Sequence, residues 1–320
     1  MRDTFRIGTR GSRLAMAQTH QVCEALEAQW PGERFAIETI RTTGDQNQES
    51  SLDTLGVEGV FTKELDTALL DRRVDLAVHS LKDLPTRLTD GIALAAVPPR
   101  EDARDVFFGR GGAPLAELSP GARVGTGSLR RRAQLLYRRP DLATAPIRGN
   151  VETRLAKLED GRYDGVLLAA AGLRRLGLPL DNAELLELDA WLPAPGQAAI
   201  AVAARADDAD AMRGAAALDD ADAMRVAAAL DDAATHVCVD AERTLLAVLE
   251  GGCRVPVGAH AQVEKDAFHL RAFVAGEDGT PFLDGAIDGP VAAATVLARK
   301  LAEDLLARGG GEILRRIRMR

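Results

Sequence analysis

Arginine clusters dominate the chemistry legible in this chain. Gly125-Thr126-Gly127-Ser128-Leu129-Arg130-Arg131-Arg132 places three guanidinium groups directly after a serine suited to cap a helix. A helix N-terminus already has partial positive charge and free N–H groups, so three cations in its first turn are unfavourable unless an anion sits among them. With an anion there, the same groups form a carboxylate or phosphate cradle, the alternative being side chains splayed into water. Ile147-Arg148-Gly149-Asn150-Val151-Glu152-Thr153-Arg154 repeats the arrangement, and Thr9-Arg10-Gly11-Ser12-Arg13 is a third instance. No G-x-x-x-x-G-K-[ST] or G-x-G-x-x-G pattern accompanies them, so a nucleotide is not indicated and the expected ligand carries several carboxylates.

Three other positions could do chemistry. Lys82-Asp83 offers a cation beside a carboxylate at a strand end; near many arginines such a carboxylate stays ionised and can steady a cationic intermediate or accept a ring N–H. His79 reads as a base or, in preference, as a structural strand-end histidine. Cys253 follows Gly251-Gly252 and precedes Arg254, which suggests an exposed thiol beside a cation that favours the thiolate; a reactive and an inert reading both stay open on spacing alone.

These residues need a scaffold. Apolar runs at 5–9, 36–42, 74–78 and 91–97 read as strands, with helices from Ser12 to about Gln29 and from about Val60 to Arg72. The polar stretch Gly44–Gly59 is long for an inert connection and reads as a lid or binding loop. The pattern restarts with strands near 122–126, 145–148, 164–169 and 198–203 and helices at about 128–137 and 150–159. Alternating strands and helices imply two α/β domains with parallel sheets, whose ligands bind beyond the carboxyl ends of the strands. The arginine clusters and His79–Asp83 fall at such ends. A smaller α+β unit follows, with helices at about 238–250 and 291–307 and strands at about 259–263, 268–274 and 282–287; its basic tail, Arg315–Arg320, reads as a solvated end.

Between them lies a tandem repeat. Asp208–Asp219 recurs as Asp220–Asp231 with only Gly214 changed, to Val226. Two copies are too few for a solenoid, and twelve residues inserted within a helix would rotate its downstream face by about 120°. A neutral duplication at a surface helix end or loop is therefore expected.

Composition excludes several classes. With 40 Lys+Arg, 48 Asp+Glu and a net charge of −8, whole-surface attraction to nucleic acid or anionic lipid is not expected. Aromatics at 4% make no base-stacking platform. No apolar run approaches the ~20 residues of a membrane span, and the N-terminus shows no secretory h-region. Cys23, Cys238 and Cys253 are odd in number and widely spaced without a C-x-x-C pair, which argues against disulfides or a zinc site and fits the cytoplasm, with Cys23 and Cys238 as small buried residues.

Taken together, Gly8–Ser12, Val78–Asp83, Val124–Arg131, Ile147–Val151 with Thr153–Leu155, Ala171–Leu176, and Glu250–Cys253 with Val255–Gly258 resemble the porphobilinogen deaminases (hydroxymethylbilane synthases), in that family's order and over nearly the whole chain. The resemblance implies two periplasmic-binding-protein-like (type II) α/β domains plus a small C-terminal α+β domain. Residues 1–98 with 199–207 would form the first, 99–198 the second and 232–320 the cofactor-attachment domain, with the repeat, 208–231, at the boundary.

It also implies an activity. A dipyrromethane cofactor, self-assembled from substrate, would be held on Cys253 through a thioether. Four porphobilinogens would add head to tail, each losing ammonia to give an azafulvene that the growing chain attacks, and water would release hydroxymethylbilane. Asp83 would act in catalysis at the pyrrole N–H groups. Lys82, Ser128, Arg130 and Arg131 would hold cofactor carboxylates, and Arg10, Ser12, Arg148, Arg154 and Arg175 those of substrate and elongating chain. No metal, nucleic acid or membrane partner is implied, and a monomer is expected. The chain departs from the family pattern at Gly127 (usually serine), at Glu58 (usually a lysine in the lid) and at Ala198 (usually glycine). The alternative class is a binding module, a two-domain carboxylate receptor or effector domain; Cys253, the lack of a visible signal peptide and the lack of a preceding DNA-binding segment disfavour it.

Overall fold

The structure, a computed structural model, describes residues 4–42, 62–206, 221–249 and 255–319. Cys253, the expected lid with Glu58, and the first repeat copy lie outside the described residues. The strands, in chain order, are β1 (Phe5–Arg10), β2 (Phe35–Ile40), β3 (Leu76–Ser80), β4 (Ile92–Ala96), β5 (Asp105–Gly109), β6 (Arg123–Gly125), β7 (Ala143–Ala145), β8 (Gly165–Ala169), β9 (Glu184–Leu186), β10 (Ile200–Arg205), β11 (Val257–Glu264), β12 (Ala267–Ala275) and β13 (Phe282–Pro290). The helices are α1 (Arg13–Gln29), α2 (Lys63–Leu70), α3 (Leu129–Arg138), α4 (Val151–Glu159), α5 (Ala170–Arg175), α6 (Ala221–Ala228), α7 (Ala233–Val248), α8 (Ala294–Leu305) and α9 (Gly311–Arg318).

Residue contacts divide the chain into two compact units, Met1–Arg100 with Ala199–His236, and Glu101–Ala198 with Val237–Arg320. The first unit holds a five-stranded sheet in the order β2-β1-β3-β10-β4. Strands β1, β2 and β3 run parallel and β10 runs antiparallel to both of its neighbours. Its central strands are near-continuous apolar runs, Leu76–Val78 and Ile200–Ala204, because helices cover both faces. On one face Phe5, Ile7 and Val202 pack against Val22 and Leu26 of α1; on the other, Val74, Ala77 and Ala203 pack against Leu65 and Leu69 of α2.

The second repeat copy belongs to this core, which differs from the expected surface position. Ala223, Val226 and Ala227 of α6 are buried with Phe5, Ile7 and Val22. The i, i+3, i+4 spacing of these small apolar residues gives α6 a face that seats against the sheet. Trp30 Nε1 donates to the Val226 carbonyl at 3.3 Å, the Arg225 guanidinium lies over the Trp30 ring, and Val97 N–H donates to Asp231.

The second unit holds a sheet in the order β7-β6-β8-β5-β9, with β6, β7 and β8 parallel and β5 antiparallel to β8 and β9. The layout repeats that of the first sheet: a central pair of parallel strands, a third beside it and an antiparallel strand inserted before the last. Sequence reading missed β5 and β9, both short, and set the strand at 145–148 two residues late. In the same unit, α7, α8 and α9 pack on the antiparallel sheet β11-β12-β13 around Leu245, Phe268, Leu270 and Leu301. Its basic tail is largely the exposed end of α9, as expected: Arg315, Arg316, Arg318 and Met319 are exposed, while Ile313 and Leu314 just before it are buried and Arg318 donates to the Leu249 carbonyl beyond α7 at 3.0 Å. A cation at a helix C-terminus is favourable against the helix dipole.

Candidate functional site

In the first unit the predicted residues gather where β1 and β3 end. The two strands are parallel neighbours with Gly8 opposite Ala77, so Arg10 and His79 emerge side by side. Ser12 caps α1, its Oγ accepting the Ala15 N–H, and Thr19 Oγ donates to Thr9 Oγ at 2.7 Å, fastening α1 to β1. A single 3-10 turn, Leu81–Asp83, follows β3 and carries Lys82 and Asp83, both half-buried, with Leu81 as its buried anchor. His79 is buried; burial and then the Arg10 charge push its imidazole down to about 4, so it is neutral at pH 7. Its Nε2 has no hydrogen-bond partner among the described residues. The structural reading of His79 as a strand-end residue fits this burial. Cys23 is also buried, and burial pushes its thiol up to about 11, aided by Glu27 and Glu24, which makes it inert.

In the second unit the parallel strands β6, β7 and β8 deliver the other predicted residues to one end of their sheet. Ser128 caps α3: its N–H donates to Thr126 Oγ at 3.2 Å and its Oγ accepts the Arg131 N–H at 3.4 Å. Asn150 caps α4, its Oδ1 accepting both Thr153 N–H and Thr153 Oγ–H. Gly149, between Arg148 and that cap, has φ of +107°, and a Cβ there would lie 2.6 Å from the Thr153 side chain, so only glycine fits the turn. Arg154 Nε donates to the Gly149 carbonyl at 2.8 Å.

Positive charge is concentrated at this end. Burial pushes the Arg154 guanidinium down to about 10, with the charges of Arg131 and Arg148 acting in the same direction. Three guanidinium groups therefore crowd one half-buried region. Burial likewise pushes Arg175 down to about 10 against the opposing pull of Glu101. Arg175 Nη2 donates to the Ala198 carbonyl at 2.7 Å, while Nε of both Arg131 and Arg175 is buried without a hydrogen-bond partner among the described residues. Ala198 has φ of +71°, the left-handed region that favours glycine, so alanine is strained there by about 1 kcal/mol.

Arg130 and Arg131 are both buried and both paired to Asp105. Arg130 is 4% exposed; its Nη1 donates to Asp105 Oδ2 and to the Leu192 carbonyl, each at 2.7 Å. Arg131 Nη2 donates to Asp105 Oδ1 at 2.7 Å and its Nη1 to the Leu167 carbonyl at 3.0 Å. Asp105, Gln134, Trp191 and Gln197 complete this network and escaped sequence reading. The available signal was a carboxylate opening an otherwise apolar run, Asp105–Gly109.

Among the described residues no cluster of His, Cys, Asp and Glu could hold a metal ion, and no helix is long and apolar enough to cross a membrane.

Comparison with known proteins matches the sequence of this chain to one family. A family model described as "Porphobilinogen deaminase, dipyromethane cofactor binding domain" matches residues 5–213, and a second, "Porphobilinogen deaminase, C-terminal domain", matches residues 236–307. Curated relatives named porphobilinogen deaminase include that of Desulforudis audaxviator, 48% identical over 318 residues, covering 99% of each chain. That of Syntrophobacter fumaroxidans is 45% identical over 313 residues, covering 98% of this chain and 97% of its own. That of Thermus thermophilus is 46% identical over 313 residues, covering 98% of each.

Proposed function

The chain belongs to the porphobilinogen deaminase family, and from that premise we propose how its own residues divide the work. The protein is a transferase of tetrapyrrole biosynthesis that makes hydroxymethylbilane with a dipyrromethane cofactor. The donor set suits such a group: Arg131, Arg148 and Arg154 bring three positive charges together in a half-buried region, where carboxylates are favoured over further cations. When bound, dipyrromethane supplies the free pyrrole α-carbon on which the product is built.

Arg131, Lys82 and Ser128 hold the cofactor carboxylates, the serine adding a hydroxyl at the positive end of α3. Arg130 contributes from behind, as a buried charge. Arg148, Arg154 and Arg175, with Arg10 and Ser12, take the acetate and propionate groups of porphobilinogen and of the lengthening chain. Asp83 accepts hydrogen bonds from pyrrole N–H groups and offsets positive charge as ammonia departs. His79, neutral and buried, excludes a second cation from beside Arg10. Cys253 provides the thioether sulfur. We propose domain limits at 98–99, 198–199, 207–208 and 231–232. A monomer working in the cytoplasm completes the proposal, and the burial of Cys23 and Cys238 is compatible with that compartment.

The observation that carries this reading is the buried Arg131–Arg148–Arg154 charge cluster. Intact mass of the purified protein tests it: an excess equal to two linked porphobilinogen-derived units is expected, absent in Cys253→Ser. A mass equal to the bare sequence, with no porphobilinogen consumed, overturns it.

A further inference from the structure

Asp105 opens β5 in the interior of the second unit, fully buried. Its two oxygens accept four hydrogen bonds: Oδ2 from Arg130 Nη1 at 2.7 Å and Trp191 Nε1 at 2.8 Å, Oδ1 from Arg131 Nη2 at 2.7 Å and Gln197 Nε2 at 2.8 Å. Four acceptor sites are the whole capacity of a carboxylate, so nothing remains to bind a ligand directly. One negative charge stands against two guanidinium charges, leaving a net positive charge buried at the root of α3. The arrangement is locked from outside as well. Gln197 Nε2 also donates to the Ala103 carbonyl at 2.8 Å, and the preceding Gly196 N–H donates to Glu242 of α7, itself completely buried, which accepts Ala261 N–H through its other oxygen.

We propose that Asp105 is a positioning residue for cofactor capture: it fixes the plane of the Arg131 guanidinium and leaves the surplus cation that dipyrromethane carboxylates satisfy. With Nη2 held by Asp105 and Nη1 by the Leu167 carbonyl, the plane of the Arg131 group is fixed, and its Nε, like that of Arg130, is buried without a hydrogen-bond partner among the described residues. A neutral amide at position 105 would point donors at donors and release both arginines. The inference rests on the reading of Arg131 as a ligand-holding residue.

The test follows cofactor loading of the apoprotein incubated with porphobilinogen, read as the rate of gain of the two-unit mass per folded molecule. Asp105→Asn removes the charge; Gln197→Met keeps the charge but removes one hydrogen bond to Oδ1. Val166→Ala, a cavity in the same sheet that removes none of the network's hydrogen-bonding groups, is the control for lost stability. Expected are about tenfold slower loading in Asp105→Asn and a smaller slowing in Gln197→Met, with Val166→Ala at the wild-type rate. Folded Asp105→Asn loading at the wild-type rate, or Val166→Ala slowing as much, overturns the proposal. If Asp105→Asn does not fold, Gln197→Met at the wild-type rate overturns it alone. A wild-type apoprotein that gains no mass at all would instead defeat the underlying assignment of the cofactor.

Discussion

At the scale of single residues, neighbouring arginines of one run find different surroundings. Arg130 and Arg131 are adjacent in a run of three arginines, yet Arg130 spends its Nη1 on Asp105 and the Leu192 carbonyl. Arg132 is directed elsewhere, its Nη1 3.7 Å from Glu277. Only Arg131 joins the electrostatic cluster with Arg148 and Arg154. Asp83 is the opposite case: half-buried on a single anchored turn, it can be changed without disturbing a core. Asp83→Asn is therefore expected to keep its far-ultraviolet circular dichroism and melting temperature while turnover falls by roughly two orders of magnitude or more. Near-normal turnover in that variant would remove Asp83 from the mechanism.

At the scale of elements, the informative case is the duplicated twelve-residue segment. The copy ending at Asp231 supplies α6, whose Val226 is 1% exposed in the core of the first unit. The other copy carries Gly214 at the equivalent place and so lacks the side chain that fills this position. Deleting residues 208–219 is accordingly expected to leave turnover and melting temperature close to wild type. Val226→Gly should cost roughly 2 kcal/mol, from lost apolar burial and helix propensity. Urea denaturation of the two variants checks both; a deletion that destabilises more than Val226→Gly would show that the first copy is structural. Strand ends matter in the same way. The anion-binding groups reach one place because β6, β7 and β8 are parallel, a consequence of the helices α3 and α4 that cross over between them.

At the scale of the whole molecule, a net charge of −8 coexists with a local excess of buried guanidinium groups, because a sum over the chain averages a cationic site into an acidic protein. Stability should carry the mark of its buried titrating groups. Burial pushes the Asp105 carboxyl up, but the Arg130 and Arg131 charges and hydrogen bonds outweigh it and hold the group well below the usual carboxylate range. A depressed carboxylate stabilises the fold above its unfolded pKa and loses that contribution as pH falls toward the folded one. His79 acts in the same direction: unfolded it takes up a proton below about 6.5, folded only at about 4. Melting temperature is therefore expected to fall steadily from pH 6.5 to 4, and His79→Gln to flatten that slope. An unchanged slope in the variant would show that His79 is already protonated in the folded protein. The sequence by itself determined the two α/β repeats, the cap at Ser12, the helix starts at Ser128 and Asn150, and the set of arginines, because apolar periodicity and capping chemistry are local. It could not separate Arg130 from Arg131, find β5, or foresee that α6 is core. Those outcomes depend on Asp105 meeting Arg130, Arg131, Trp191 and Gln197, 25 to 92 residues away, and on α6 meeting a strand near the N-terminus. Only the folded backbone brings such distant groups together, and burial then decides which charges are satisfied within and which remain for a ligand.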